Sequence, residues 1–198
     1  MKRTFDVIAA VLGLIFLFPF FVFVAAWVNM ESKGGIFYRQ RRIGKNGQPF
    51  MLLKFRSMFV GSDKSSRITV GNRDSRITKS GQFIRKYKLD EFPQLVNVIN
   101  GDMSIVGPRP EVEEYVKMYS EEQKKVLTVK PGISDFASIE YMDENELLAK
   151  SENPQKTYID EIMPLKLELN LKYIREQSLR TDLKIIMNTI IGIFSSNR

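Results

Sequence analysis

Residues 7–28, VIAAVLGLIFLFPFFVFVAAWV, carry no charge over 22 positions, about the length that crosses a bilayer core as a helix. The stretch reads as a membrane segment. Pro19 sits in its middle, lacks a backbone donor and crowds the preceding turn, so Phe18-Pro19 marks an expected break. Lys2 and Arg3 precede the segment, and Lys33, Arg39, Arg41 and Arg42 follow it. The preference of basic residues for the cytoplasmic side therefore pulls both ends to one face. A helix-break-helix over residues 1–32 that re-enters satisfies both ends and is preferred to a straight span. A cleaved signal peptide is disfavoured by Pro19, by the length of the run and by the lack of an A-x-A-like site before the arginines.

Outward from this segment, residues 33–198 read as one cytoplasmic domain, helix-rich and of the α+β class, with a small β-hairpin and interfacial helices. Ile36–Gln40 and Pro49–Phe55 are β-leaning runs around Gly44-Lys45-Asn46-Gly47, the pattern of a hairpin. Residues 61–80 form a long polar loop, a kind that more often carries function than not. Gly81–Leu89 has helical spacing, and Asp90 is expected to start a new helix with Pro93 in its first turn and Leu95, Val96 and Ile99 as its apolar stripe. Gly107-Pro108-Arg109-Pro110 is a turn that projects Arg109, Glu111–Leu127 reads as an amphipathic helix, and Pro131-Gly132 breaks the chain. Three further helices are expected at 143–150, 157–176 with a point of interruption at Pro164, and 181–194. The last of these suits either the core or a membrane interface.

The composition narrows the chemistry. The 198 residues contain no cysteine and no histidine, which removes thiolate chemistry, the usual general base and the commonest zinc ligand. Any metal site must use oxygen ligands, and magnesium or calcium suits those better than zinc. The excess of 30 Lys and Arg over 23 Asp and Glu, +7 overall, points to an anionic partner: a phosphorylated substrate, a membrane surface or nucleic acid.

In this setting the run Lys88-Leu89-Asp90-Glu91-Phe92-Pro93-Gln94-Leu95 stands out, because it places adjacent carboxylates among basic residues. Two neighbouring acids can divide the work between a reacting centre and a metal or proton. At a helix N-terminus the open N–H groups would keep Asp90 ionised. Lys54, Arg56, Arg85 and Arg109 are cations suited to a diphosphate if the fold gathers them. Each element also has a plainer reading. An Asp-Glu pair before a helix is most often a cap, Arg109 a solvated turn residue, Lys54 and Arg56 the outer side of a strand, and the basic residues near the membrane a lipid-binding cluster.

The ordered set Phe37-Tyr38-Arg39-Gln40, Lys54-Phe55-Arg56-Ser57-Met58, Leu89-Asp90-Glu91-Phe92-Pro93-Gln94-Leu95, Asn97, Gly101-Asp102-Met103-Ser104, Gly107-Pro108-Arg109-Pro110 and Lys130-Pro131-Gly132-Ile133 resembles the bacterial sugar transferase family. It is most similar to the catalytic core of small monotopic phosphoglycosyl transferases. The resemblance implies that Asp90 attacks the β-phosphorus of a UDP-sugar, releasing UMP and forming an aspartyl phosphosugar, which polyprenol phosphate then takes up. It implies Mg²⁺ held by Glu91 with Asp90, and substrate contacts from Lys54, Arg56, Arg85, Gln94 and Arg109. It places the protein on the cytoplasmic face of the bacterial inner membrane, without a nucleic-acid partner and with a homodimer left open. Family members often carry serine before the helix-breaking proline, where this chain has Phe18, and the Ser134-Asp135-Phe136 stretch also departs from the familiar pattern. Two other readings stay open: a membrane-anchored basic adaptor for anionic lipid or nucleic acid, and a magnesium-dependent diphosphate hydrolase.

Overall fold

A computed structural model describes residues 2–62, 71 and 74–195; half of the expected polar loop, residues 63–70 and 72–73, lies outside them. In chain order the elements are α1 (Lys2–Glu31), β1 (Phe37–Ile43), β2 (Pro49–Phe55), α2 (Lys79–Lys86), α3 (Gln94–Asn100), β3 (Ser104–Val106), α4 (Glu113–Val116), β4 (Gly132–Ser134), α5 (Phe136–Glu140), α6 (Glu144–Ala149), α7 (Pro154–Thr157), α8 (Met163–Glu176) and α9 (Leu179–Ser195). The protein is thus helix-rich, with two small two-stranded sheets and an apolar N-terminal helix.

The 30 residues of α1 form one helix that contains Pro19, about 45 Å long at ~1.5 Å per residue. The break expected at Phe18-Pro19 does not end it. Proline removes one donor from the ladder, yet the helix runs on through it, with Phe18 and Pro19 both exposed. Both ends of α1 are fastened to the rest of the protein. At the start, Lys2 pairs with Asp182 of α9 at 2.6 Å, and Arg3 donates to the last carbonyls of α3, Val98 and Ile99. The buried Asp6 accepts from Ser104 Oγ at 2.8 Å and Ile105 N at 3.2 Å in β3. At the other end, Glu31 accepts from the Lys79 and Ser80 amides in the first turn of α2 at 2.6 and 2.7 Å. Between these ties α1 packs chiefly against α3, with Ala10 clustered with Leu52, Val98 and Met103, and Val24 and Val28 with Phe55 and Ile84.

β1 and β2 form the expected antiparallel hairpin, in register from Phe37 opposite Phe55 to Ile43 opposite Pro49. The first strand runs three residues past Gln40, and the loop turns at Asn46 and Gly47, both with positive φ. β3 and β4 pair in parallel, a contact with no signal in the local pattern. Their backbones meet so closely that a Cβ on Gly132 would stand 2.0 Å from the Gly107 nitrogen, so glycine is required there.

Two helix expectations change. The single helix expected over Glu111–Leu127 is α4 followed by a separate 3₁₀ segment at Gln123–Thr128. Ser120 Oγ accepts from the Gln123 amide while Gln123 Oε1 accepts from the Ser120 amide, a reciprocal cap that starts the new turn. The stretch expected as a helix from 157 is α7, a π turn at Tyr158–Ile162 and then α8, with Pro164 in the first turn of α8 where it removes no needed donor. The C-terminal half closes over its own core of Val112, Tyr115, Tyr119, Val126, Leu148, Tyr158, Ile162, Met163 and Leu167.

Candidate active site

Lys88 adopts a left-handed conformation, φ 56°, and reverses the chain after α2. Leu89–Glu91 then form one 3₁₀ turn, and α3 begins only at Gln94, behind Pro93. Asp90 therefore stands on a turn before the helix rather than at its start, as expected from the sequence. Both carboxylates are buried, Asp90 at 6% exposure and Glu91 at 8%.

Their surroundings differ. Glu91 Oε1 accepts from Lys54 Nζ at 3.0 Å and from Arg109 at 2.5 Å, while Oε2 accepts from the same guanidinium at 3.2 Å. Burial alone would raise the Glu91 pKa, but the charges of Arg109 and then Lys54 outweigh it and hold the group well below the usual carboxylate range. Asp90 makes no hydrogen bond or ion pair among the described residues. Burial pushes its pKa up, against the opposing pull of Lys54, Arg85 and Lys88. Because Asp90 precedes α3 instead of starting it, the helix-terminus position expected to favour its charge is not where it stands, and desolvation is the leading influence. Burial likewise lowers the pKa of Lys54, partly offset by Glu91.

The backbone explains how these groups meet. Asn97 of α3 copies a strand partner: its Oδ1 accepts from Leu53 N at 3.0 Å and its Nδ2 donates to Met51 O at 2.8 Å. This clamps β2 to α3 and sets Lys54 beside the turn that carries the acids. Arg109 is delivered by the turn after β3. The Arg109 amide donates to Asp135 Oδ2 at 3.0 Å, Arg42 donates to Pro110 O at 3.1 Å, and Gly107 N and Gly132 N bond across to Ser134 O and Pro108 O. Asp135 is fully buried and also caps α5 through the Ser138 amide. Its positioning role escaped the sequence reading, although the Asp-x-x-Ser spacing at the start of α5 was the available signal.

Of the residues singled out from the sequence, Asp90, Glu91, Lys54 and Arg109 are brought together, and the charge of Arg85 acts on Asp90. Arg56 is not part of this group. It is 4% exposed, and its guanidinium donates to the carbonyls of Val28, Ser32 and Lys33 at the end of α1, so it caps that helix instead of facing a ligand. Gln94 is buried at the start of α3, with Nε2 lacking a hydrogen-bond partner; no bond joins it to the cluster.

A cation site made wholly of protein ligands does not arise, because no group of three or more acidic side chains gathers among the described residues. The fit to Mg²⁺ rests on Asp90, a buried carboxylate without a partner among the described residues, beside Glu91. One or two carboxylates suffice when substrate phosphates and water complete the shell.

Residues 1–196 match the model of the bacterial sugar transferase family. The chain belongs to that family. It is 37% identical over 196 residues to the UDP-glucose:undecaprenyl-phosphate glucose-1-phosphate transferase of Xanthomonas campestris pv. campestris, covering 97% of this chain and 38% of that protein. The protein of the same name from Escherichia coli is 36% identical over 98% of this chain and 40% of its own length. The chain thus spans about two fifths of these two relatives. The exopolysaccharide production protein ExoY of Sinorhizobium fredii is 35% identical, and there the match covers 97% of this chain and 84% of the relative.

Proposed function

We propose that this bacterial sugar transferase moves a sugar 1-phosphate from a UDP-sugar to polyprenol phosphate, as the first membrane step in building a glycan. The observation that carries the reading is Asp90, a buried carboxylate with no partner among the described residues, beside a glutamate already held by two cations. In the first step an Asp90 oxygen forms a bond to the β-phosphorus, the bond from that phosphorus to the bridging oxygen breaks, and UMP leaves with the electron pair. In the second step a phosphate oxygen of the acceptor attacks the same phosphorus, the bond to Asp90 breaks, and the carboxylate is restored. Lys54 and Arg109 offset the negative charge that would otherwise repel a carboxylate from a diphosphate. Glu91 holds these two cations in register. Asp90 and Glu91, with the donor's phosphates, would hold Mg²⁺, which when bound neutralises phosphate charge.

Seating at the membrane follows from α1. A domain tied to both ends of an apolar helix leaves those ends on one side of a bilayer, which supports a monotopic placement with the site on the cytoplasmic face of the inner membrane. The apolar stripe of α9, exposed at Leu179, Leu183, Met187, Ile190, Ile191 and Phe194 and edged by Arg180 and Lys184, is suited to lie in the interface beside it.

The decisive experiment incubates the protein with Mg²⁺, a panel of UDP-sugars and polyprenol phosphate. UMP release that depends on the acceptor over many turnovers, a phosphosugar bound covalently to Asp90, and loss of both in Asp90→Asn are expected. Steady UMP release without acceptor would favour a diphosphate hydrolase, and turnover in Asp90→Asn would overturn the nucleophile.

A further inference from the structure

Four aromatic rings make a continuous path from the membrane helix to the turn that carries Asp90. Phe23 and Trp27 lie four residues apart on α1, with ring centroids 6.0 Å apart. Trp27 meets Phe83 of α2 at 5.5 Å, and Phe83 meets Tyr87, the last residue of that helix end, at 5.0 Å. The path is not what buries α2 against α1. Ile84, with Val24, Val28 and Phe55, already forms the sealed contact there, and Glu31 ties the first turn of α2. The rings lie outside that seal, with Phe23 59% and Phe83 41% exposed. Large rings left half bare in a row mark a surface that meets something apolar.

The end of the path is cationic. Lys86 Nζ stands 5.6 Å from the centre of the Tyr87 ring, and Lys88 is exposed at the left-handed turn that leads into Asp90. Arg85, one helical position before Lys86, makes no hydrogen bond or ion pair among the described residues, and its charge and that of Lys88 reach Asp90. An apolar track that starts on a membrane segment and ends among cations beside the nucleophile matches a ligand with an apolar chain and an anionic head.

We propose that Phe23, Trp27, Phe83 and Tyr87 form the track for the isoprenoid tail of the acceptor, with Arg85, Lys86 and Lys88 receiving its phosphate. This deepens the transferase reading and rests on it. Flat ring faces give a branched hydrocarbon chain a large contact area while giving up little side-chain freedom. The guanidinium and ammonium groups supply donors for phosphate oxygens.

The test separates the two half-reactions. Exchange of labelled UMP into the UDP-sugar needs no acceptor, whereas full transfer is titrated with long-chain polyprenol phosphate in vesicles of phosphatidylethanolamine and phosphatidylglycerol. Phe83→Ala and Trp27→Leu are expected to keep exchange within about twofold and to raise the acceptor KM about tenfold. Phe83→Leu, which keeps bulk without a flat face, gives a smaller rise and serves as the readout if Phe83→Ala lowers the yield of folded protein. Phe23→Ala, farthest from the cations, should raise the KM for the long acceptor and leave that for a short-chain isoprenyl phosphate unchanged. Unchanged acceptor KM in all variants would overturn the proposal. So would a defect wholly accounted for by less protein bound to the vesicles, which would make the rings an anchor in the headgroups. Absence of UMP exchange in the unaltered protein would instead overturn the transferase reading, and the track with it.

Discussion

The end of β2 and the turn after β3 each hold an arginine, and the two do opposite things. Arg56 is surrounded by neutral carbonyls in and just after α1, which accept from both terminal nitrogens of its guanidinium, while its buried Nε has no partner among the described residues; these bonds fix where the apolar helix leaves the domain. Arg109 meets a carboxylate in a fork and remains 32% exposed along its side chain, so it has a face left for a ligand. A buried cation is structural when backbone oxygens satisfy it. It is available for chemistry when its partner is another charge that an incoming phosphate can rearrange.

Exchanging the two roles should produce effects of different kinds. Arg109→Gln is expected to lower kcat by about 10²–10³-fold with little change in Tm, the size seen when one donor to a developing charge is removed. Steady-state rates and a melting curve on the same preparation would check it, and a loss of fold without a loss of specific activity would reverse the assignment. Arg56→Met should do the contrary. Three carbonyls at the end of α1 lose their donor, so stability falls by roughly 2–4 kcal/mol in chemical denaturation while the folded fraction keeps its kcat.

A smaller effect is expected from Asp135→Ala. Losing the acceptor of the Arg109 amide lets the turn shift, and kcat should fall about tenfold. Adding Arg109→Gln to that variant should cost far less than in the unaltered protein, since the two act through one group.

The smallest effect concerns Asp90 itself. Burial raises its pKa in the folded state, so the folded protein binds this proton more readily than the unfolded chain does. The ionised carboxylate therefore weakens the fold above the raised pKa. That penalty disappears as pH falls through the raised value toward the ordinary carboxylate range. Asp90→Asn should consequently be more stable than the unaltered protein near neutral pH, by about 1 kcal/mol. The difference should shrink in acid, as melts across pH in the presence of a chelator would show. Glu91 has the opposite sign. Held below the usual range by Arg109 and Lys54, it contributes stability above its unfolded pKa that is lost as pH falls through its folded value. An equal or lower Tm for Asp90→Asn at neutral pH would contradict the burial argument.

Much of the fold was legible because the signals were local. The apolar run of α1, the hairpin with Asn46-Gly47 at its turn, and the helices of the C-terminal half follow from periodicity and from turn residues. The Ser120–Gln123 cap was legible too, but the apolar spacing on either side of it masked the interruption. The parallel pairing of β3 with β4 was not legible, since three-residue strands 28 positions apart carry no pattern long enough to read.

By itself the sequence determined which residues could do chemistry. Without histidine or cysteine, the Asp90-Glu91 pair and a handful of cations were the available groups, and their order along the chain resembled a family that the whole-chain match then showed. Only the tertiary structure decided which cation serves which partner. Lys54 lies in β2 and Arg56 just past its end, yet one reaches Glu91 and the other the end of α1. It also decided that Asp90 is buried with no partner among the described residues while Glu91 is paired with two cations. Charge in a folded protein depends on solvent access and on neighbours brought from 18 and 37 positions away, and neither is written in the local sequence.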